Sequence, residues 1–185
     1  MKYLLDGQET GRLRFRILEK SDFDTWIEFF DDGDAARFLG LQDMGSAHEK
    51  CALWFKLAET RYKNDTGGLN VLIDKNTGEF IGQCGILLQE VDGVTEFEIG
   101  YSIMPRYWNK GYATEAATKC RDFAFENGFT DSLISIIHVE NVKSEKVALK
   151  NGMQKRKQTE YKNMPVNIFR IDKVDWEKSK IVNNV

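Results

Sequence analysis

The sequence predicts an α/β (α+β) domain in which helices cover both faces of a single mixed sheet. Apolar and polar residues alternate between residues 69 and 103, a pattern typical of strands in an antiparallel meander. Small residues then recur at helical spacing over residues 113–124, which indicates a helix that lies close to the sheet. The nearly unbroken apolar run from Leu133 to Val139 predicts a strand buried on both faces. Strand, crossover helix and strand in this order imply a central parallel pair.

The chain before this meander carries one strand and two helices. Strict alternation predicts a strand over residues 12–17, and an aromatic stripe predicts a helix from Ser21 to about Asp31. A capping box, Ser46-Ala-His-Glu49, predicts the start of the second helix, and Gly67-Gly68 predicts its end. The sheet is therefore preceded by an edge strand and two amphipathic helices.

Turn residues divide the meander and end the helix after it. Asn76-Thr-Gly78 and Asp92-Gly93 predict two hairpin turns. Pro105 has no N–H for a sheet, so the third strand of the meander ends before it. Asn127-Gly128 then predicts the end of the helix.

The C-terminal part predicts a third helix and a final hairpin. Asn141-Val-Lys-Ser144 is a helix-start signal, in which Asn141 caps the amide of Ser144. A hairpin is expected over residues 153–171. The predicted element order is β-α-α-β-β-β-α-β-α-β-β. We expect one domain over residues 11–175, with flexible tails at 1–10 and 178–185.

Composition limits the classes of function. A net charge of −3 and a pI of about 5.5 disfavour a nucleic-acid partner and suit a cationic substrate. Cys51, Cys84 and Cys120 lie in apolar patterns without a C-x-x-C motif, so we expect reduced core thiols and no metal. The sequence has no signal peptide and no apolar run of about 20 residues. We therefore expect a cytoplasmic protein without a membrane partner, either a monomer or a homodimer.

The junction between the strand that ends near Ile103 and the helix after it is suited to an anion. Arg106 and Lys110 bring positive charge, and Gly111 allows a backbone shape that a Cβ would block. The free N–H groups over residues 109–114 and the positive end of the helix dipole favour a phosphate or pyrophosphate. The alternative is a surface turn whose glycine only closes the connection.

Two segments of this junction resemble the pyrophosphate loop of the GNAT superfamily of N-acetyltransferases. They are Glu98-Ile-Gly-Tyr101 and Tyr107-Trp-Asn-Lys-Gly-Tyr-Ala-Thr-Glu-Ala116. The superfamily loop reads Q/R-x-x-G-x-G/A, and here Trp108 replaces the Gln or Arg. The chain is most similar to the branch that acetylates the N-termini of ribosomal proteins, and the predicted element order is that of the GNAT fold. The resemblance covers about residues 11–175.

The resemblance implies that acetyl-CoA binds where the two parallel strands splay apart. It assigns the cofactor to the end of the central strand, the loop after it and the start of the last helix. These residues are Ile103, Trp108, Asn109, Lys110, Gly111, Tyr112, Ala113, Thr114, Asn141 and Ser144.

Acetyl transfer to an amine needs a base and a proton donor for the leaving thiolate. Glu98 lies on the central strand, where the superfamily often places its base, and its alternative role is a solvated carboxylate. Glu160 matches a carboxylate of the ribosomal-protein branch and competes with Glu98 for this role. Many members place a Tyr general acid at the position of Ala148, so Ser144 or a water has to protonate the thiolate here.

The segment between the first two helices forms one wall of the acceptor site in the superfamily. Asp31, Asp32 and Asp34 lie there, either as a solvated loop or as a wall that favours a cationic acceptor. We expect direct acetyl transfer from acetyl-CoA to a primary amine, foremost a protein or peptide N-terminal α-amine. The alternatives are a polyamine or aminoglycoside acetyltransferase and a non-catalytic acyl-CoA-binding module.

Overall fold

The computed structural model describes residues 1–41 and 44–182, in which the elements follow the predicted order with two additional helices. Short 3₁₀ turns, Lys20–Asp22 and Pro105–Tyr107, precede two of the helices. The elements are β1 (Leu13–Arg16), α1 (Phe23–Asp31), α2 (Gly33–Ala36), α3 (Ala47–Asn64), β2 (Gly67–Asp74), β3 (Phe80–Val91), β4 (Val94–Ile103), α4 (Tyr112–Glu126), β5 (Ser132–His138), α5 (Val142–Lys150), β6 (Gln154–Tyr161), β7 (Met164–Asp172) and α6 (Lys173–Val182).

The strands form one mixed sheet in the order β1-β2-β3-β4-β5-β7-β6. β4 and β5 are parallel, and the other neighbouring strands are antiparallel. The parallel strands pair at a single position, Glu98 with Ile134. Next to that position the hydroxyl of Ser135 donates to the carbonyl of Ile99 at 2.8 Å. The predicted mixed sheet with an antiparallel meander and a central parallel pair is confirmed, and we call the gap beyond Glu98 and Ile134 the strand opening.

Helices cover the two faces of the sheet in pairs. Cys120 of α4 contacts Cys84 of β3, with 3.6 Å between the sulfur atoms, and α5 packs beside α4. On the opposite face, Trp54 of α3 donates its indole N–H to Gln83 of β3 at 3.1 Å, and α1 packs against α3. The predicted small-residue stripe of α4 is buried at Ala116, Ala117, Cys120 and Ala124. The absence of bulky side chains brings α4 close to the sheet.

Successive side chains of β4 point to opposite faces of the sheet. Tyr101 pairs with Cys84 and therefore points to the α4/α5 face, where its hydroxyl donates to the carbonyl of Ser144 at 2.8 Å. Glu98 points the other way, to the α1/α3 face. β4 thus presents a phenol to one side of the strand opening and a carboxylate to the other.

The helix starts follow the predicted signals at two places and differ at one. The capping box of Ser46 and Glu49 is present, and the Asn141 side chain accepts from the amide of Ser144 at 3.1 Å. The first helical segment begins after Glu19 rather than at Ser21. Asp22 accepts from the Glu19 amide at 2.8 Å and pairs with Arg16 of β1 at 2.6 Å. The first helical turn therefore begins two residues earlier than predicted.

Described residues within both of the expected flexible tails contact the rest of the domain. Within residues 1–10, Leu5 is fully buried and its amide donates to Asn70 at 3.1 Å. Trp176 anchors α6 by donating to Asp122 at 2.7 Å. Because α6 runs to Val182, the expected tail 178–185 begins inside a helix, and residues 183–185 lie outside the described part. One or two buried apolar side chains anchor each end, too few to produce a periodic pattern.

In the described part of the chain, none of the helices combines the length and the apolar composition that a membrane span requires.

Candidate active site

The loop between β4 and α4 has the backbone shape that the anion-site prediction requires. Asn109 and Gly111 have φ of 60° and 84°, in the left-handed region that favours glycine at the second position. Gly111 is the N-cap of α4, and no side chain caps the helix there. Asn109, Lys110 and Gly111 are exposed. The first-turn N–H groups and the helix dipole can therefore act on an anion in front of the loop.

Two side chains hold this loop in place. The indole N–H of Trp108 donates to the carbonyl of Ile103 at 2.7 Å, so the side chain that replaces the usual Gln or Arg ties the loop to the end of β4. Arg12 donates to the carbonyl of Lys110 at 3.0 Å and pairs with Glu115 at 2.7 Å. Arg12 also lies 4.3 Å from the ring centroid of Tyr112. The loop is thus held by the residue before β1, by the end of β4 and by the first turns of α4.

The start of α5 lies across the strand opening from this loop. The ammonium nitrogen of Lys143 stands 3.7 Å from the ring centroid of Trp108. Ser144 is half-buried, and its backbone is held by Asn141 through the N–H and by Tyr101 through the carbonyl. The structure therefore brings together the two groups of residues that sequence analysis assigned to the cofactor.

The position of Ala148, where many members of the superfamily have a tyrosine, is tightly packed. Its side chain is fully buried in the main apolar core, beneath α5. A tyrosine ring at this position would have to displace core side chains. Tyr101 of β4 instead brings a phenol hydroxyl to the first turn of α5.

Glu98 has the surroundings of a carboxylate with altered acidity. It is half-buried, and its carboxylate accepts from Gln89 of β3 at 2.8 Å and from the backbone N–H of Ile136 in β5. Arg61 of α3 in turn donates to Gln89 at 2.8 Å. Burial raises the pKa of Glu98, and the two hydrogen bonds offset only part of that shift. A carboxylate held firmly with a raised pKa has the properties of a general base.

The two competing carboxylates lie on opposite faces of the sheet. Burial raises the pKa of Tyr161 to about 12, and the nearby charge of Glu98 adds to that shift. Tyr161 packs against the apolar cluster of Ile134, the residue that pairs with Glu98, so Tyr161 and Glu98 lie on the same face of the sheet. Glu160 is the preceding residue of β6, so it points to the other face, and it is exposed. Glu96 is also separate from Glu98, because it pairs with Arg170 of β7 at 3.2 Å. The geometry therefore suits Glu98 better than Glu160 or Glu96 to the role of a base at the strand opening.

The acidic segment divides into a structural residue and two exposed ones. Asp32 caps α2 by accepting from the amides of Asp34 and Ala35 at 3.0 and 2.9 Å. Asp31 and Asp34 are exposed. Asp32 is therefore a helix cap. The exposed carboxylates of Asp31 and Asp34 remain available to a ligand.

The rest of that segment reaches across to the far side of the strand opening. Arg37 pairs with Glu140 at 2.6 Å, and the ring of Phe38 lies 4.9 Å from that of His138 at the end of β5. A Cβ on Gly40 would stand 3.0 Å from the end of Met164 in β7. The segment thus lies beside the ends of β5 and β7, and its assignment as a wall of the acceptor site stays a prediction.

Sequence analysis missed Gln89, Tyr101 and Lys143. A signal for Gln89 was present, because the Asp92-Gly93 hairpin sets the register that pairs Gln89 with Glu96, diagonal to Glu98. Tyr101 and Lys143 each act across about 35 to 45 positions of the chain, and no local pattern indicates such contacts. Among the described residues, no cluster of His, Cys, Asp and Glu could hold a metal ion.

Ionisation of Glu98 should lower the stability of the wild-type protein as the pH rises. Because its folded-state pKa is raised, the stabilising protonated form is fully present below the unfolded-state pKa and is lost as the pH rises through the folded-state value. We expect the free energy of unfolding of the wild type to fall relative to that of Glu98→Gln as the pH rises from about 4 through the raised pKa of Glu98. Denaturant titrations of both proteins at several pH values test this. Parallel pH profiles would show that Glu98 titrates normally.

Comparison with known proteins identifies the family of this chain. The family described as acetyltransferase (GNAT) domain matches residues 12–154. The protein YkkB of Bacillus subtilis, which is uncharacterized, is 35% identical over 162 residues, covering 86% of this chain and 92% of its own. An acetyltransferase from Agrobacterium tumefaciens has the same fold with a TM-score of 0.74 at 25% identity, covering 89% of this chain and 92% of its own.

Two further solved structures share the fold at lower identity. Spermidine N-acetyltransferase from Vibrio cholerae, in complex with CoA and spermine, has a TM-score of 0.70 at 15% identity, over 91% of this chain and 99% of its own. Ribosomal-protein-S5-alanine acetyltransferase from Vibrio fischeri has a TM-score of 0.66 at 20% identity, over 91% and 97%. This chain belongs to the GNAT acetyltransferase family and is an acetyl-CoA-dependent N-acetyltransferase.

Proposed function

We propose that the enzyme transfers the acetyl group of acetyl-CoA directly to the α-amine of a peptide or protein, with Glu98 as the general base. The observation that carries the proposal is the half-buried Glu98 carboxylate at the base of the strand opening, with a pKa raised by burial. An α-amine has a pKa of about 8, so a carboxylate base has less to overcome than with a lysine amine of pKa about 10.4.

The residues around the opening fit acetyl-CoA. The uncapped first turn of α4 and exposed Lys110 suit a pyrophosphate, and Gly111 leaves space for it. When bound, acetyl-CoA supplies the reactive thioester. Asn141 and Ser144 flank the opening on the α5 side, where the Ser144 hydroxyl would give a proton to the leaving sulfur. A water held by Ser144 remains the other proton source.

The charges near Glu98 disfavour a polycationic acceptor. Arg61 and Lys162 both act electrostatically on Glu98, and both are cations. Ile134, which pairs with Glu98, belongs to an apolar cluster. Ile136, Tyr161 and Met164 pack against this cluster. A single neutral amine next to an apolar group suits this environment better than a chain of ammonium groups. The ribosomal-protein acetyltransferase of the same fold adds support for a protein N-terminus as the acceptor.

A polyamine is the second candidate acceptor. Exposed Asp31 and Asp34 at the wall of the opening favour it, and a spermidine N-acetyltransferase shares the fold. An aminoglycoside would use the same carboxylates. These acceptors differ from a peptide N-terminus in how many positive charges enter the site.

A thiol-release assay with matched acceptors tests the proposal. The panel contains four acceptors. Two are forms of one peptide with an internal lysine, first with a free α-amine and then with a blocked N-terminus. The other two are spermidine and an aminoglycoside. We expect the free α-amine peptide to have the highest kcat/KM and the blocked peptide to be almost inert. A higher kcat/KM for spermidine or the aminoglycoside would replace the proposed acceptor by a small polycation.

The exposed carboxylates can be tested separately from the cap. Replacing Asp31 and Asp34 by Asn, with Asp32 retained, is expected to raise KM for a cationic acceptor about two- to tenfold, because the charges that attract it are lost. The affinity for acetyl-CoA should stay unchanged in calorimetry. As a control, Asp175→Asn with Glu177→Gln removes the same charge from α6. Equal KM values in both double variants would identify Asp31 and Asp34 as solvated surface residues.

A further inference from the structure

Four cations surround the loop between β4 and α4, although the whole chain carries a net charge of −3. Arg12 and Arg106 are neutralised by ion pairs with Glu115 and Glu28. Within residues 1–41 and 44–182, the other two cations contact aromatic rings and pair with no carboxylate. These are Lys110, 5.2 Å from the Tyr107 ring centroid, and Lys143, 3.7 Å from that of Trp108. Two ammonium groups thus remain available to an anionic ligand.

Lys143 is placed where a cation does not stabilise its own helix. It is the second residue of α5, near the positive end of the helix dipole, where a negative charge is preferred. Its ammonium is nevertheless held over the indole of Trp108, which is itself fixed by the carbonyl of Ile103. The ring offsets part of the cost and restricts the long side chain. A cation fixed in advance in this way loses less conformational entropy when it binds an anion.

We propose that Lys143 binds the 3′-phosphate of coenzyme A. The N–H groups and Lys110 that suit the pyrophosphate follow β4, whereas Lys143 belongs to α5 on the other side of the strand opening. The 3′-phosphate on the ribose is the one further phosphate of the cofactor, and it needs a cation of its own. The proposal rests on the use of acetyl-CoA and is independent of the acceptor.

Calorimetry with CoA and dephospho-CoA, which lacks the 3′-phosphate, tests the proposal. The wild type should bind CoA about three- to tenfold more tightly than dephospho-CoA, as expected for one exposed charged contact. Lys143→Met should weaken only CoA binding and so remove the preference, while Lys143→Arg should keep most of it. Lys150→Met changes an exposed lysine at the far end of α5 and should behave as the wild type. Added salt should reduce the wild-type preference.

Three results would overturn the proposal. Equal weakening of both ligands by Lys143→Met would assign the lysine to the pyrophosphate. A wild type without a preference between CoA and dephospho-CoA would leave the contact of Lys143 with Trp108 as a structural feature only. A wild type that prefers CoA over dephospho-CoA in a Lys143-independent way would place the 3′-phosphate elsewhere. A wild type that binds neither ligand would contradict the cofactor site itself, and this outcome is distinct from the other three.

Discussion

Gly111→Glu is expected to weaken acetyl-CoA binding by about 10³-fold or more. Gly111 is exposed at the N-cap of α4, so a glutamate there would place a negative charge next to the proposed pyrophosphate position. Two like charges about 4 Å apart repel by about 4 kcal/mol at a partly exposed site. A non-glycine residue at φ of 84° also costs about 1–3 kcal/mol of backbone strain. Calorimetry with CoA measures the loss.

A matched control separates charge from strain. Gly128, after the C-terminal end of α4, also has a positive φ of 64°, and a Cβ there meets nothing within 4 Å. Gly128→Glu adds the same strain and the same charge at the other end of the helix, so CoA affinity should stay within about twofold of the wild type. Gly111→Ala adds strain without charge and should give an intermediate loss. Wild-type affinity in a folded Gly111→Glu protein would move the pyrophosphate away from this loop.

Local patterns were sufficient to predict the elements that position the site. Alternating residues and two hairpin turns defined β2 to β4, and the hairpin at Asp92-Gly93 fixes which residues of β3 and β4 face each other. The small-residue stripe of α4 and the apolar run of β5 were enough to predict a parallel pair. The loop between β4 and α4 could be predicted as an anion site because its cations, its glycine and the helix start are contiguous in the chain; its binding role stays a prediction.

The surroundings of Glu98 could not be predicted in the same way. Its partners come from Gln89 in β3 and Ile136 in β5, and the direction of its pKa shift depends on how deeply all three strands bury it. The choice between Glu98 and Glu160 likewise depended on which face of the sheet each strand presents. Such facts follow from the order and spacing of strands in space, which a short sequence motif does not contain.

The same reason explains the acidic segment. Three aspartates within four residues indicate negative charge, but only the structure shows that Asp32 turns its carboxylate back to cap α2. The contact of Arg37 with Glu140 joins residues about one hundred positions apart. The resemblance to the superfamily predicts that this segment lines the acceptor site, whereas the contacts of its individual side chains follow only from the three-dimensional structure.

Glu98→Gln is expected to lower kcat/KM by about 10²- to 10⁴-fold, equivalent to about 3–5 kcal/mol of transition-state stabilisation. The base acts in its deprotonated form, so wild-type activity should fall as the pH drops through the raised pKa of Glu98. In the variant that limb should disappear. The deficit should also shrink as the pH rises, because more of the acceptor amine is already neutral.

Glu160→Gln and Ser144→Ala complete this experiment on one confirmed acceptor. Glu160→Gln should stay within about twofold of the wild type at every pH, because that side chain is exposed on the opposite face of the sheet. Ser144→Ala keeps the backbone N–H that Asn141 caps, so CoA affinity should be unchanged while kcat falls at every pH. A pH-dependent rescue in Glu160→Gln but not in Glu98→Gln would exchange the roles of the two carboxylates. If all three variants matched the wild type, positioning alone would account for the rate, and neither carboxylate would be the base.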